Sequence, residues 1–462
     1  MSKIAAKQTK PLINPTYTDF GQPVWPAMRQ NWPTLSIIVV GSLVLRLLWV
    51  LVLYPNPSLV GGDGPFYLRL ADFIATGYGM VDSQLYRPTA TVAPALPYVL
   101  AGLQLVFGKA HVVLAARLLQ VFLGSGLVVI LFALGTRWHS AKVGLLVALL
   151  AALDLRLIVE SSELYTESLF IFCLYLSAWL LWRGLNRKDS SWSLALAGLA
   201  LGVALLTRAV AQFLPFVWLL PLWYWQNNGT RFAQSRLFLQ RAAPFLAGVA
   251  LLVLPWIGRN WYVFKRPFLA EGAGYHLYEN SNSTWEGNTQ GLEKIKDLEV
   301  ESNPAGKRYA FFESALAVIG SDPLAYIQRR ATAAVAAYLQ PHGTVVLGNA
   351  FDPTGLKESV LETIRGQRTW RALLGSTAFW LKSWVYVWHF GSITLAVFYC
   401  WQQRRNWPHW LWLVLLIGYL SAIYTLLLII PRYLFPLMPA FLLLAAAQLL
   451  SMPILRKLSV KK

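Results

Sequence analysis

HVVLAARLLQVFLGSGLVVILFALGTRWHSAKVGLLVALLAALDLRLIVE, residues 111–160, decides the fold. It holds two apolar runs, 111–134 and 143–160, on either side of a short turn carrying Arg137 and Lys142. A run of about twenty apolar residues crosses a hydrocarbon core of roughly 30 Å as a helix. Basic residues in a short connection mark the inner side of the membrane. The stretch therefore predicts a helical hairpin whose turn faces inward.

Working outward, further runs occur at 36–54, 164–183, 193–207, 209–225, 242–262, 376–400, 410–430 and 433–451. Every second connection is basic: Arg183, Arg187 and Lys188, then Arg231, Arg236 and Arg241, then Arg404 and Arg405. The N-terminal segment (Lys3, Lys7, Lys10, Arg29) and the C-terminal tail (Arg456, Lys457, Lys461, Lys462) belong to the same side. This alternation predicts about ten spans with both termini cytoplasmic. The segment 92–107 preserves it only by not crossing. It is short, contains Pro94 and Pro97 and follows Pro88, so it reads as a surface helix on the outer side.

Composition agrees. Of 462 residues, 56% are hydrophobic and 13% charged, with a mean hydropathy of +0.48, too little polar surface for a soluble chain of this length. Alternating ten-residue segments, the signature of a membrane barrel, are absent. The net charge of +19 is dispersed in short clusters between apolar runs, which argues for topology signals and against nucleic-acid binding. Cys173 and Cys400 both lie in apolar runs, so no disulfide framework or cysteine metal site is expected. No cleavable signal peptide is expected, since residues 1–35 before the first run are polar or mixed.

Three parts follow: a membrane module over 1–262 with a first outer loop at 55–110, an outer domain at 263–374, and C-terminal spans over 375–462. Within the outer domain, Ser321-Asp322-Pro323 reads as a helix start leading into an Ala-rich amphipathic stretch to about Gln340.

The polar candidates gather on the outer side. Asp63, in VGGDGPFY, either caps a helix beginning near Pro65 or offers a carboxylate at the membrane face. Arg87, in the first outer loop just before Pro88, and Arg208, Arg259 and Arg432, at outer ends of spans, are isolated cations on the outer side. Each alone reads as a headgroup anchor, and the set reads as a site for a phosphate. Glu160, Glu163 and Glu167, in VESSELYTESLF, are spaced to share one helical face. Acids at the edge of hydrocarbon are functional candidates, although a helix N-terminus also favours them. His276 and His342 lack ligand spacing and read as structural. Neither a metal motif, a nucleotide loop nor an internal repeat is present, so no cofactor is expected. Asn282-Ser283-Thr284 matches a glycosylation sequon.

In order and spacing, these pieces resemble the GT-C class of polyprenyl-phosphate-dependent glycosyltransferases, in particular bacterial relatives of protein O-mannosyltransferases and lipid A aminoarabinose transferases. The resemblance is carried by Asp63 with Tyr67 and Leu70-Ala71, the proline-rich segment after Arg87, Thr166-Glu167-Ser168 opening a span, GLALGVALLTR, PWIGRN, and RYLFPLMPAFLLL at the end. It implies an all-α GT-C-like bundle with outer juxtamembrane helices and a small outer domain. It implies a plasma-membrane hexosyl- or pentosyltransferase, with an outward-facing active site. The polyprenyl-phosphate sugar would pass to a lipid, glycan or protein acceptor with inversion at the anomeric carbon. Asp63 takes the place of the catalytic base and Glu167 that of the second-loop acid. Arg87 and Arg432 take the lipid phosphate, with Arg208, Arg259 and Tyr67 nearby. Many members carry Asp-Glu at the first position; here Gly64 follows Asp63. The competing readings are a transporter or flippase for a lipid-linked anion, and a ligase using lipid-pyrophosphate glycans.

Overall fold

The computed structural model describes residues 23–57, 62–82, 86–185, 191–224, 231–281, 310–351, 360, 362–367 and 369–452. Lys3, Lys7, Lys10, Arg187, Lys188, the sequon at 282–284 and the basic tail from Arg456 lie outside the described residues. Among the described residues the chain is helical, with one isolated bridge between Val81 and Pro88.

Most apolar runs become helices. A short α1 (Val24–Gln30) precedes α2 (Trp32–Leu48), which continues as a π-helical turn to Leu53. The first outer loop holds α3 (Gly64–Ala75) and α4 (Ala95–Phe107). The hairpin of the opening stretch is α5 (Val112–Trp138) and α6 (Ala141–Leu153), followed by a short α7 (Leu155–Val159). Then come α8 (Glu167–Leu185), α9 (Ser191–Thr207), α10 (Leu214–Tyr224) and α11 (Arg231–Phe264). The outer segment supplies α12 (Gly272–Ser281), α13 (Ala310–Ser321), α14 (Pro323–Leu339), α15 (Thr344–Phe351) and α16 (Trp370–Leu374). The chain closes with α17 (Thr377–Gln402), α18 (Leu411–Leu426) and α19 (Pro431–Ser451).

Four described helices are long and apolar enough to cross a membrane: Trp32–Leu53, Val112–Trp138, Ser235–Phe264 and Pro431–Ser451. On α2, Ile37, Val40, Val44, Leu48 and Leu51 are exposed at helical spacing. Such a stripe on a long helix is a lipid-facing surface. On α17, Trp380 and Trp401 are each more than half exposed. At 1.5 Å per residue they stand about 32 Å apart, close to the separation of the two interfaces where indoles collect. By contrast α19 is buried on nearly all sides from Met438 to Ala447, as an all-round apolar helix at a bundle centre should be.

Close helix packing relies on glycine where α9 crosses α11. On α9, a Cβ at Gly198 would sit 1.9 Å from the Phe245 carbonyl oxygen, and on α11 a Cβ at Gly248 would sit 2.2 Å from that of Ala195. The two backbones approach through paired glycines, the usual device where lipid provides no hydrophobic drive.

Segment 92–107 forms a helix from Ala95, directly after Pro94. Helix α4 has 13 residues, about 20 Å, short of the hydrocarbon thickness. It packs on α3 and α5. Asp322 caps α14 by accepting from the Ala325 amide at 3.0 Å, with Pro323 in the first turn, as the sequence predicts. The described part of 263–374 lies against the bundle: Tyr338 Oη is 2.6 Å from Ser421 Oγ on α18, and the Tyr326 hydroxyl donates to the Leu426 carbonyl.

One expected helix is broken. The run 143–160 divides at Asp154, whose extended backbone ends α6 and whose carboxylate caps α7 through the Arg156 amide at 3.0 Å. Both side chains are fully buried, with Arg156 Nη2 2.6 Å from Asp154 Oδ2. Beyond α7 the chain makes a 3-10 turn at Glu160–Ser162 and extends at Glu163. Glu160, Glu163 and Glu167 therefore do not share a helical face, because no helix runs through them.

Candidate active site

Asp63 stands at the N-terminal boundary of α3, yet its side chain makes no cap bond. The carboxylate turns away, and Oδ2 accepts from Arg432 Nη2 at 2.6 Å. This replaces the capping reading. Gly62, before it, has φ +70°, and a Cβ there would meet Tyr165 Oη at 2.9 Å. Glycine is thus required at this point for both backbone conformation and space.

Arg432 enters the site from the start of α19, after Pro431. Its Nε lies 3.3 Å from Glu167 Oε1. Glu167 opens α8, and the same oxygen forms a close ion pair with Arg208 Nη1, which also donates to Thr166 Oγ1 at 3.1 Å. Charges alternate along the row Asp63, Arg432, Glu167, Arg208. Aromatic faces hold the two guanidinium groups flat. Arg432 lies 4.4 Å from the Tyr165 ring centroid, and Arg208 lies 4.7 Å from Tyr433 and 5.5 Å from Tyr424. Tyr424 and Tyr433 stack at 5.1 Å.

Exposure separates the members of the row. The Asp63 side chain is 43% exposed, those of Arg432 and Arg208 17% and 10%, and that of Glu167 1%. Asp63 and the outer faces of the arginines can meet a ligand; Glu167 is enclosed by its partners.

Asp63, Arg208 and Arg432 line a cavity of ≈ 360 Å³, within the range of small-molecule sites. Its lining combines polar side chains, among them Tyr67, Thr166, Arg208, Arg432 and Tyr433, with the apolar Val210, Ile423, Leu427 and Leu428. Burial, with Asp63 and Glu167 nearby, raises the Tyr67 phenol above its ordinary range, so its hydroxyl remains a donor. Burial likewise raises the Glu163 carboxyl.

Among the sequence candidates, Asp63, Tyr67, Glu167, Arg208 and Arg432 come together. Arg87 is exposed and does not line the cavity. Arg259 donates to the Thr89 and Met80 carbonyls at 3.1 and 3.3 Å and lies 4.9 Å from the Trp256 ring, tying the first outer loop to α11. His276 lines the cavity, with Nδ1 3.5 Å from Glu279 Oε2. His342 Nε2 lies 2.6 Å from Glu160 Oε2. Sequence reasoning missed Tyr165, Tyr424 and Tyr433. Tyr433 is adjacent to Arg432 in PRYLFP, a signal that was available. Among the described residues, no group of three or more His, Cys, Asp or Glu side chains is gathered to hold a metal ion.

With this geometry in place, comparison with known proteins shows the fold. The solved structures of the Archaeoglobus fulgidus oligosaccharyltransferase share the fold. The form tethered to an acceptor peptide containing the NVT sequon aligns with a TM-score of 0.53 and 16% identity, over 94% of this chain and 51% of that one. The form described as AglB with an inhibitory peptide and a dolichol-phosphate aligns with a TM-score of 0.53 and 15% identity, over 94% and 52%. The chain has the GT-C fold, as its sequence resemblance implies. It spans about half the length of these structures. More particularly, residues 90–265 match the family described as dolichyl-phosphate-mannose-protein mannosyltransferase. That match includes Glu167 and Arg208 and lies between Asp63 and Arg432. No curated protein matches the sequence.

Proposed function

We propose that this chain is a membrane glycosyltransferase that takes a sugar from a polyprenyl-phosphate donor and passes it to an acceptor hydroxyl. The observation that carries the reading is the paired row Asp63–Arg432–Glu167–Arg208, whose members Asp63, Arg432 and Arg208 line a cavity that Val210, Ile423, Leu427 and Leu428 also line. An anionic headgroup on a hydrocarbon chain fits that combination. The guanidinium groups of Arg432 and Arg208 face the phosphate, and Val210, Ile423, Leu427 and Leu428 face the first isoprene units.

In the reaction the acceptor oxygen attacks the anomeric carbon opposite the phosphate, and the configuration inverts. The acceptor proton passes to Asp63, the accessible carboxylate. The bond from the anomeric carbon to the phosphate oxygen breaks, and the arginines stabilise the charge left on the lipid phosphate. Glu167, enclosed and paired with both arginines, holds them in place and does not touch the reacting atoms. The match to mannosyltransferases supports a hexose donor, and the peptide complexes of the structural relatives support a polypeptide acceptor. The basic connections support an outward-facing site in the plasma membrane, with both termini inside.

The test is to incubate purified protein with polyprenyl-phosphate sugars and a hydroxyl-bearing peptide, following released lipid phosphate and the glycosylated product. Release coupled to product supports the transferase. Translocation of the intact lipid in sealed vesicles without release would support the flippase and remove this reading.

A further inference from the structure

A second cavity, of ≈ 250 Å³, lies where α5 ends and α17 turns into α18. Helix α18 leads from Trp410, beside this hollow, to Tyr424 at the arginine row. Those fourteen steps of 1.5 Å place the two sites about 21 Å apart along the helix, toward opposite faces of the membrane. The walls are Trp138, His139, Tyr399, Gln403, Asn406, His409 and Trp410.

The hollow is a built structure. The Trp138 indole donates to the His409 carbonyl at 2.7 Å and the Trp410 indole to that of Gln403 at 3.2 Å. Asn406 Nδ2 donates to Gln403 Oε1 at 3.0 Å. These bonds fix the turn Arg404–His409 against the end of α5 and leave the imidazole of His139 on the cavity wall. Its surroundings carry one sign of charge. Arg137, Lys142, Arg404 and Arg405 lie within a few residues of the lining residues in sequence, and segments 131–153 and 396–412 contain no Asp or Glu. Burial and the neighbouring His409 hold the His139 imidazole below its ordinary range, the direction expected in a positive setting without a carboxylate.

We propose that this hollow binds a phosphate group, supplied by the headgroup of an anionic membrane phospholipid. His139, His409, Gln403 and Asn406 supply its polar lining, and the basic residues Arg137, Lys142, Arg404 and Arg405 are near these in sequence. Indoles of Trp138 and Trp410 frame it at the depth where headgroups meet hydrocarbon. A basic pocket between helices at a membrane face is the arrangement that captures anionic headgroups, with each nearby cation adding to the attraction. In the topology expected from the basic connections this is the inner face. The site is separate from the one proposed for the sugar donor, and neither assignment depends on the other.

The experiment uses the full-length protein in phosphatidylcholine nanodiscs, with and without phosphatidylglycerol. Native mass spectrometry counts retained lipids, and hydrogen exchange reports on 399–410. Preferential retention of one phosphatidylglycerol, roughly five-fold or more over phosphatidylcholine, with slowed exchange at 403–410, is the expected result. His139→Leu should abolish both, with the thermal transition unchanged. Arg404→Gln with Arg405→Gln, at exposed positions, should weaken retention even if His139→Leu does not fold. Equal retention of the two lipids, or retention unaffected by these variants, would overturn the proposal. So would equal slowing of exchange by 10 mM inorganic phosphate in pure phosphatidylcholine, which would assign the site to a solution anion.

Discussion

Arg432 Nη2 donates to Asp63 Oδ2 at 2.6 Å, joining the start of the final helix to the first outer loop across 369 positions of sequence. The bond aims a carboxylate into the cavity that its position in α3 would otherwise have turned toward its own helix. It also leaves Oδ1 of Asp63 available to a proton. Asp63→Asn retains an acceptor oxygen for Arg432 and removes the basicity. Turnover should fall by about 10²–10⁴-fold, with donor binding and melting temperature unchanged. Near-normal turnover by a folded Asp63→Asn variant would eliminate Asp63 as the base.

Glu167 should behave differently. It is 1% exposed and paired with both Arg208 and Arg432, so Glu167→Ala strands two guanidinium groups. Breaking a buried ionic network costs about 3–5 kcal/mol. Thermal unfolding in detergent should shift down strongly, with activity lost. Adding Arg208→Ala should recover part of that stability. A double-mutant cycle with no coupling between the two positions would contradict the arrangement.

The glycine crossing gives a prediction independent of chemistry. Gly198→Ala places a methyl group 1.9 Å from the Phe245 carbonyl oxygen, so α9 and α11 must move apart, at about 1–3 kcal/mol. Gly258→Ala, on the same α11, meets nothing within 4 Å and should be neutral or slightly stabilising. Melting temperatures of the two variants check this. Equal shifts would mean that the helices are not packed through Gly198.

The helices were legible because apolar runs and basic connections are local signals: the run 111–134 became Val112–Trp138, and Ser321-Asp322-Pro323 became a capped start. The partners were not legible. A carboxylate at a helix start looks the same whether it caps that helix or reaches Arg432, since the decision rests on a residue 369 positions away. Among the isolated arginines, Arg208 and Arg432 meet Glu167, whereas Arg259 meets backbone carbonyls. Nothing in their flanking residues distinguishes these outcomes. The spacing of Glu160, Glu163 and Glu167 misled because a helical period was assumed through a segment that Asp154 had already ended.

The Glu160–His342 pair carries the last prediction. Glu160 sits in the turn that leads to Tyr165, Thr166 and Glu167, and His342 reaches it from the end of the outer segment at 2.6 Å. Both side chains are less than 10% exposed, and the His342 ring lies 4.8 Å from Phe435. The outer segment is thus tied to the turn that positions the arginine row. His342→Ala leaves the Glu160 carboxylate buried without that donor, at about 1–3 kcal/mol or more for a charged group. Melting temperature and turnover should fall together. His342→Gln, which keeps a donor, should restore most of both. The double change Glu160→Leu with His342→Leu removes the stranded charge and should be more stable than His342→Ala alone. If its stability returns but its turnover does not, the pair positions the site; if His342→Ala leaves both measurements unchanged, the tie has no such role.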